Sequence, residues 1–463
     1  MFDILLINPP ILNPGKVKKI RAISPPVGIL SLAAYLEDKG LYVRVLDLAL
    51  QPELYDTLKN EFDAPDRIVG ITSTTNTIGS ALDVAKIVKQ YNPDSFVVLG
   101  GPHPSILPED VLSNREVDCV VIGEGELSLY NLTSSYKQGS DWKATPGIAF
   151  NDVNRVIINP QTNYVDNLDS IPFPARHLVP FKQYRSSAIS HKRTPSTCVI
   201  TSRGCPYKCT FCSNPVHGRK VRSRSPENVI EELKLLKRDF RIRDITFWDD
   251  TFTVSKKRVE SICRLIIEEN LDLTWSCASR VDTISPDLLK IMKEAGCWLI
   301  SFGIESGVGR LREKIHKGIT EEQIFRAFKS CKQAGIETRA FFMLGLPTET
   351  VEESEATLSF AKKLNPDFLQ FTLTVPYPGS ELYNEALSEG WIPPDWGEFQ
   401  TYPEDKPVYV PTGRLPNELR EMQNKAFKST YFRPSYILKR LWKIRSWDEL
   451  LEHSKVFLNM LRW

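Results

Sequence analysis

Arg203-Gly204-Cys205-Pro206-Tyr207-Lys208-Cys209-Thr210-Phe211-Cys212 is the stretch that orders the rest of the chain. Three of the nine cysteines fall within it, spaced C-x3-C-x2-C, directly after the apolar, β-branched run Cys198-Val199-Ile200-Thr201. This predicts a strand ending in a loop, because Gly204 frees the backbone and Pro206 blocks a helix. A loop lets three thiolates curl around one point. Three thiolates hold three irons of a [4Fe–4S] cube and leave the fourth iron open to a substrate. A Cys3His zinc site with His217 as fourth ligand is the competing reading of the same residues.

Outward from that loop, 463 residues give room for two or three domains with full cores. Hydrophobic residues make up 41% and charged residues 25%, the balance of a soluble globular chain. The 59 basic and 57 acidic residues leave a net charge of +2, which argues against a nucleic-acid partner. The remaining six cysteines, Cys119, Cys198, Cys263, Cys277, Cys297 and Cys331, stand singly in apolar runs and read as small core residues in a reducing compartment. The first residues carry no basic leader, so the expected location is the cytoplasm.

Residues 1–136 alternate short β-branched runs (4–7, 43–47, 68–71, 96–99 and 119–122) with helical stretches, which predicts a doubly wound, Rossmann-like parallel sheet. Small residues follow the strands: Asn8-Pro9-Pro10, Ser73-Thr74-Thr75, Gly100-Gly101-Pro102-His103 and Gly123-Glu124-Gly125-Glu126. Such turns let a large flat ligand approach the backbone, although each is also an ordinary turn sequence. Residues 137–195 read as a Pro-rich linker with one hairpin around Asn151-Asp152-Val153-Asn154. From 196 to 390 the rhythm resumes for six strand–helix units, a (β/α)6 partial TIM barrel with active residues expected at the strand C-termini. Residues 391–463 read as a small helical C-terminal region. Within it Tyr431 to Arg445 mixes aromatic with basic residues, a pattern suited to peripheral membrane contact or to a helix packed on the barrel.

The C-x3-C-x-aromatic-C loop after a first strand resembles the signature of the radical S-adenosylmethionine (SAM) superfamily. That resemblance implies Cys205, Cys209 and Cys212 as iron ligands, with SAM chelated at the open iron. Polar punctuation follows the later strands in order: Asp249-Asp250, Ser279-Arg280, Gly303-Ile304-Glu305-Ser306 and Gly345-Leu346-Pro347. The family pattern makes Phe211, Asp250, Arg280, Glu305, Ser306 and Gly345 the SAM-contacting candidates. The four turns of the first domain, taken together, resemble the cobalamin (B12)-binding domain of B12-dependent radical SAM enzymes. Ser73, Thr74, Gly100, Gly101, Gly123 and Glu124 are then the cobalamin candidates.

One departure stands out. Methionine-synthase-like B12 domains carry Asp-x-His-x-x-Gly after the second strand, whereas this chain has Asp47-Leu48-Ala49-Leu50-Gln51. Ala49 supplies no lower ligand, which implies cobalt unligated by the protein, or a relic domain that binds nothing. His103 lies in the Gly-Gly-Pro-His turn, where the sequence allows it either to reach a ligand or to cap the loop.

Taken whole, the resemblance implies an enzyme that uses a [4Fe–4S] cluster, SAM and cobalamin, fed by an external low-potential donor of the flavodoxin or ferredoxin type. It most resembles the methyltransferases that act on an unactivated carbon of a small-molecule or lipid substrate. An oxidative, ring-closing reaction of the anaerobic Mg-protoporphyrin cyclase type shares the same cofactors. A non-catalytic cobalamin- or zinc-binding protein is the alternative of a different class.

Overall fold

The computed structural model describes residues 3–10, 23–50, 68–153, 155–161, 164–186, 190–214, 216–391, 393, 395–399, 401 and 406–441. Its first sheet has seven strands in the order β2-β1-β3-β4-β5-β6-β7. β1 (Ile4–Asn8), β2 (Val43–Asp47), β3 (Ile68–Thr72), β4 (Phe96–Gly100) and β5 (Cys119–Val121) are parallel. Their side chains are buried on both faces, as expected of a parallel sheet covered by helices. α1 (Val27–Asp38) and α3 (Gly125–Lys137) pack on one face with Ile4, Leu6 and Val98. α2 (Ile78–Tyr91) packs on the other with Leu5, Ile7 and Leu99. The strand order reverses between β1 and β3, which opens a crevice at the strand C-termini there.

The hairpin read as part of the linker belongs to this sheet. β6 (Ile148–Asp152) runs antiparallel to β5, with Cys119 opposite Phe150, and β7 (Arg155–Ile158) closes the edge. Ile148 and Phe150 fill one core and Ala149 the other, so burial on both faces recruits the hairpin into the sheet. The remainder of the linker is pinned by Arg176, which is buried and pairs with Glu232 at 2.7 Å.

The second sheet has six parallel strands in the order β15-β14-β13-β12-β11-β8, an open barrel. They are β8 (Ser196–Val199), β11 (Asp244–Phe247), β12 (Thr274–Ser279), β13 (Cys297–Glu305), β14 (Glu337–Leu344) and β15 (Phe368–Leu373). Two short antiparallel strands, β9 (Ser202–Arg203) and β10 (Arg222–Ser223), flank the cysteine loop. The outer helices are α4 (Pro226–Phe240), α5 (Lys256–Glu268), α6 (Pro286–Glu294), α7 (Glu321–Gln333) and α8 (Val351–Leu364).

Their ends are written in sequence. Ser225 and Ser285 cap helices whose first residue is proline, and Thr320 with Gln323 and Thr350 with Glu353 form capping boxes. Ile245, Phe247, Trp275, Cys277, Phe302, Phe342 and Phe371 form the core between strands and helices, so residues of opposite parity face the barrel interior.

The described residues between 391 and 415 depart from the helical expectation. Pro393 breaks helical continuation, and Trp391, Trp396, Phe399 and Val408 instead form an aromatic cluster with Val375 and Tyr377. α9 (Pro416–Tyr431) and α10 (Pro434–Leu441) are helical. The Tyr436 hydroxyl donates to Asp367 O at 2.8 Å, and the Tyr431 hydroxyl accepts from Leu369 N–H at 3.0 Å. Those two aromatic residues therefore turn onto the barrel, and a membrane contact through them has no support. Trp442 to Arg445, the rest of that motif, lies outside the described residues. Among the described residues no helix is long and apolar enough to cross a membrane.

Candidate active site

The cysteine loop starts from a glycine that no other residue can replace without movement. Gly204 has φ +89°, and a Cβ there would lie 2.3 Å from Lys220 O. Cys205 N–H donates to Gly218 O at 3.3 Å, Thr210 N–H to Ile315 O at 3.1 Å, and Leu382 N–H to Thr210 O at 2.9 Å. The loop is thus stitched to the fourth and sixth barrel units.

Cys209 is buried and Cys212 exposed. Desolvation, then the neighbouring Cys205, Cys209 and Asp250, push the Cys212 thiol up to about 11, and burial raises Cys209. Three thiolates here call for a cation to offset their mutual repulsion. Among the described residues no three His, Cys, Asp or Glu side chains converge as on a single metal ion. A cube suits the three cysteines better, since each thiolate meets a different iron. His217, the fourth ligand of the zinc reading, turns one ring nitrogen away from the cysteines. Its Nδ1 lies 3.0 Å from Glu124 Oε1, on the side of the first sheet.

Of the residues expected to contact SAM, Phe211, Asp250, Arg280 and Glu305 surround this loop. Phe211 packs with Leu311, Ile315 and Leu346. Asp250 is exposed and within the electrostatic reach of Cys212. Arg280 stacks on Tyr207 at 3.7 Å, but its Nε and Nη2 already hold Asp282 at 3.0 and 2.9 Å. A free bidentate clamp is therefore not what the loop offers.

Glu305 is buried and accepts from Lys317 Nζ at 2.7 Å. Lys317 lies 5.8 Å from the Phe211 ring centre, and its charge offsets part of the rise that burial causes at Cys209 and Cys212. It was not legible as a site residue, because it sits a helix beyond the strand it serves.

Ser306 and Gly345 serve the scaffold. The Ser306 hydroxyl is fully buried, accepts from Val308 N–H at 3.1 Å and lies 3.2 Å from Thr357 Oγ1. Gly345, at φ +78°, donates its N–H to Glu349. Asp249 is committed as well, accepting from Thr201 N–H, the Thr201 hydroxyl and the Ser202 hydroxyl, each at 2.6 Å.

A cavity of about 420 Å³ opens at the C-terminal ends of β3, β4 and β5 and is closed on its far side by Ile200, Ser202, Arg203 and His217. Gly100, Gly101 and Gly123 line it. At Gly101, φ +99°, a Cβ would sit 2.8 Å from Ser73 O. Ser73 and Thr74 are spent on the turn itself: the Ser73 hydroxyl donates to Thr74 O, and Thr74 N–H donates to the Thr77 hydroxyl at 2.9 Å.

At the Asp47 turn the carboxylate accepts from Asn8 Nδ2 at 2.8 Å, Ala49 N–H at 3.0 Å and the Tyr184 hydroxyl at 2.6 Å. His103 is fully buried, its Nδ1 3.2 Å from Thr75 Oγ1 and its ring edge-on to Trp396. It packs the turn and does not face the cavity. Residues for a lower cobalt ligand are thus absent from the described part of this turn, whereas the wall of Gly100, Gly101 and Gly123 fits the close approach of a large flat ligand.

Glu124, expected as a ligand contact, is instead the centre of a buried charge cluster. Its Oε2 accepts from Arg222 Nη1 at 2.9 Å, Oε1 faces His217 and Arg222, and Arg203 Nη1 lies 3.4 Å away. Burial alone would raise this carboxyl. Hydrogen bonds from Arg222 and His217, with the charge of Arg203, outweigh it and hold Glu124 at about 2. Arg203 Nη2 also donates to Glu126 Oε1 at 2.6 Å.

The barrel interior below the loop is mixed. Trp248 is 47% exposed at the end of β11, Phe341 and Met343 are half-buried, and Thr246, Ser276, Ser301, Gln370 and Thr372 add hydroxyls and an amide.

Comparison with known proteins agrees with this architecture. The Radical SAM superfamily model matches residues 199–361, and the B12 binding domain model matches residues 16–133. An uncharacterized methyltransferase of Pyrococcus horikoshii is 38% identical over 452 residues, covering 96% of this chain and 95% of that protein. The anaerobic magnesium-protoporphyrin IX monomethyl ester cyclase of Rubrivivax gelatinosus is 30% identical over 423 residues, covering 87% of this chain and 74% of that one. The cobalamin-dependent SAM radical enzyme OxsB, solved with aqua-cobalamin and SAM bound, shares the fold with a TM-score of 0.76 at 18% identity, over 99% of this chain and 71% of that one. The chain belongs to the cobalamin-dependent radical SAM enzymes, in the methyltransferase family, whose cofactors are a [4Fe–4S] cluster, SAM and cobalamin.

Proposed function

We propose that the enzyme methylates an unactivated carbon of a small, largely apolar molecule. The observation that carries this reading is the shared wall: Arg203, two residues before Cys205, lines the same cavity as Gly100, Gly101 and Gly123. Cobalamin in that cavity and a cluster on Cys205, Cys209 and Cys212 would face one another across it. Bound together, the cluster, SAM and cobalamin supply a substrate carbon radical and the methyl group that quenches it. The chain provides position and a dry cage.

Phe211, Asp250, Arg280 and Glu305 border the SAM site. Glu305 accepts a cation there, a role now taken by Lys317, and Arg280 with Tyr207 forms the wall above the buried Cys209. Ser306 and Gly345 hold the two turns behind them. For the substrate, Trp248, Phe341 and Met343 offer apolar contact beneath the cluster loop, and the hydroxyls of the lumen offer neutral hydrogen bonds. Functionally, residues 1–158 form the cobalamin unit, 196–390 the catalytic barrel, and 391–441 a cover over the barrel's last strand. Six unpaired cysteines outside the cluster loop suit a reducing cytoplasm, and a cluster that must be reduced calls for a flavodoxin- or ferredoxin-type electron donor.

Anaerobic reconstitution followed by incubation with dithionite, cobalamin and SAM tests this. 5′-Deoxyadenosine together with S-adenosylhomocysteine is the expected outcome. 5′-Deoxyadenosine without S-adenosylhomocysteine would favour the oxidative ring-closing chemistry named for the cyclase relative. Zinc in place of iron, with neither product, would overturn both.

A further inference from the structure

Trp396 belongs to two cores at once. On the barrel side its ring lies 5.0 Å from that of Phe399, in the cluster with Val375 and Val408 beyond the end of β15. On the other side the same ring packs against the first-sheet core that holds Ile71, Ile78 and Leu99. A side chain shared in this way ties the cover of the barrel to the first sheet without passing through the linker.

What Trp396 grips is the place where two turns meet at the mouth of the cavity. Its ring stands edge-on to His103 at 4.9 Å, and its Nε1 donates to Asp110 Oδ2 at 3.1 Å. His103 joins the turn after β4 to the turn after β3, since its N–H donates to Ser73 O at 3.3 Å and its Nδ1 lies 3.2 Å from Thr75 Oγ1. Ser73 N–H answers with a bond to Gly100 O at 2.8 Å. Thr72, Gly100, Gly101 and Pro102, the residues flanking these bonds, line the cavity. Tyr377, from the same aromatic cluster as Phe399, bonds Asn76 and so holds the turn after β3 a second time. His103 and Thr75 are both buried. With the indole gone, the imidazole would meet water on that face, and its contact with Thr75 would compete with solvent.

We propose that Trp396 is a positioning residue for cobalamin: through His103 it fixes the spacing of the two turns at the cavity mouth, so that the barrel's cover and the occupant of the cavity stabilise each other. The inference rests on the cofactor assignment made above. Linkage is reciprocal, so cobalamin must hold residues 395–399 in place by the same factor that their docking tightens cobalamin.

Equilibrium dialysis of the full chain against hydroxocobalamin, without air, is the first arm of the test. Trp396→Ala should weaken binding about tenfold, and Trp396→Phe, which keeps a ring against His103 but loses the N–H to Asp110, about threefold. Iron and sulfide content should match the unaltered protein in both. Hydrogen exchange is the second arm: added hydroxocobalamin should slow the backbone amides of residues 395–399 in the unaltered protein about tenfold. A side chain that only packs would lower the melting temperature when removed and move neither readout. Should the alanine variant fail to fold, the phenylalanine variant and the exchange arm decide. An unchanged dissociation constant in the variants, or amides that exchange equally fast with and without hydroxocobalamin, would overturn the inference and spare the cofactor assignment. Unaltered protein that takes up no hydroxocobalamin would overturn both.

Discussion

Glu349 is a carboxyl pressed into service as a scaffold. It accepts from Leu346 N–H at 2.8 Å, from the Ser354 hydroxyl at 3.0 Å and from Gly345 N–H, yet burial outweighs those bonds and pushes it up to about 7. A folded-state value above the unfolded one means the folded chain binds the extra proton. Stability from this group is present below the unfolded value and lost as pH rises toward 7, by up to about 3 kcal/mol. Glu349→Gln, which mimics the protonated carboxyl and does not titrate, should keep this stability, so its urea midpoint should rise relative to that of wild type as pH rises toward 7.

Glu124 has the opposite sign. Held at about 2, it stabilises above its unfolded value and loses that contribution in acid. Glu124→Gln should cost about 3 kcal/mol at neutral pH, with the gap closing as the buffer is acidified through the range below 4.5.

At this scale the sequence is most explicit where residue type alone decides, as at the three cysteines read as iron ligands. Each cysteine changed to alanine should drop iron well below four per chain, read by metal and sulfide assay. It misled where a polar side chain is spent on the backbone, as Ser306, Asp249 and Ser73 are. Arg222 escaped notice because its partner Glu124 lies 98 residues away, and Lys317 because a helix separates it from Glu305.

Elements were more legible than side chains, since strand and helix periods are local. The first-sheet strands begin and end within a residue or so of their apolar runs, and the helix caps Ser225, Thr320 and Thr350 act where their sequence places them. The misplacements have tertiary causes. β8 ends at Val199 because Ile200 and Thr201 leave the sheet to feed β9. The hairpin Ile148–Ile158 looked like linker because only packing on β5 makes it a pair of sheet strands.

Two glycines give element-scale tests. Gly204→Ala would put a Cβ 2.3 Å from Lys220 O in a left-handed conformation, so iron occupancy should fall together with a loss of about 1–3 kcal/mol. Gly101→Ala, 2.8 Å from Ser73 O, should weaken hydroxocobalamin binding in dialysis while leaving iron occupancy intact.

For the molecule as a whole, the doubly wound sheet and the open barrel were both readable from alternation, but their mutual placement was not. Nothing in a periodic pattern says that Trp396 will reach Asp110, with Nε1 3.1 Å from Oδ2, or that Arg203 will find Glu126. A ligand seated between two bodies stabilises their joint state in proportion to its concentration. Cobalamin at about 100 times its dissociation constant should add roughly 2.7 kcal/mol, visible as a rise in the anaerobic melting temperature.

Lys220 and Asp166, 74% and 76% exposed, bridge the cluster loop to the linker between the two bodies, and the contrast with Glu124 has a practical consequence. Dissolved ions crowd around the exposed bridge and blunt it, since the screening length shrinks to about 3 Å in molar salt. They have no entry to the enclosed acid and its arginines. Raising ionic strength should therefore leave the alignment of the two halves intact, and cross-linking or scattering profiles taken in dilute and in molar potassium chloride should superimpose.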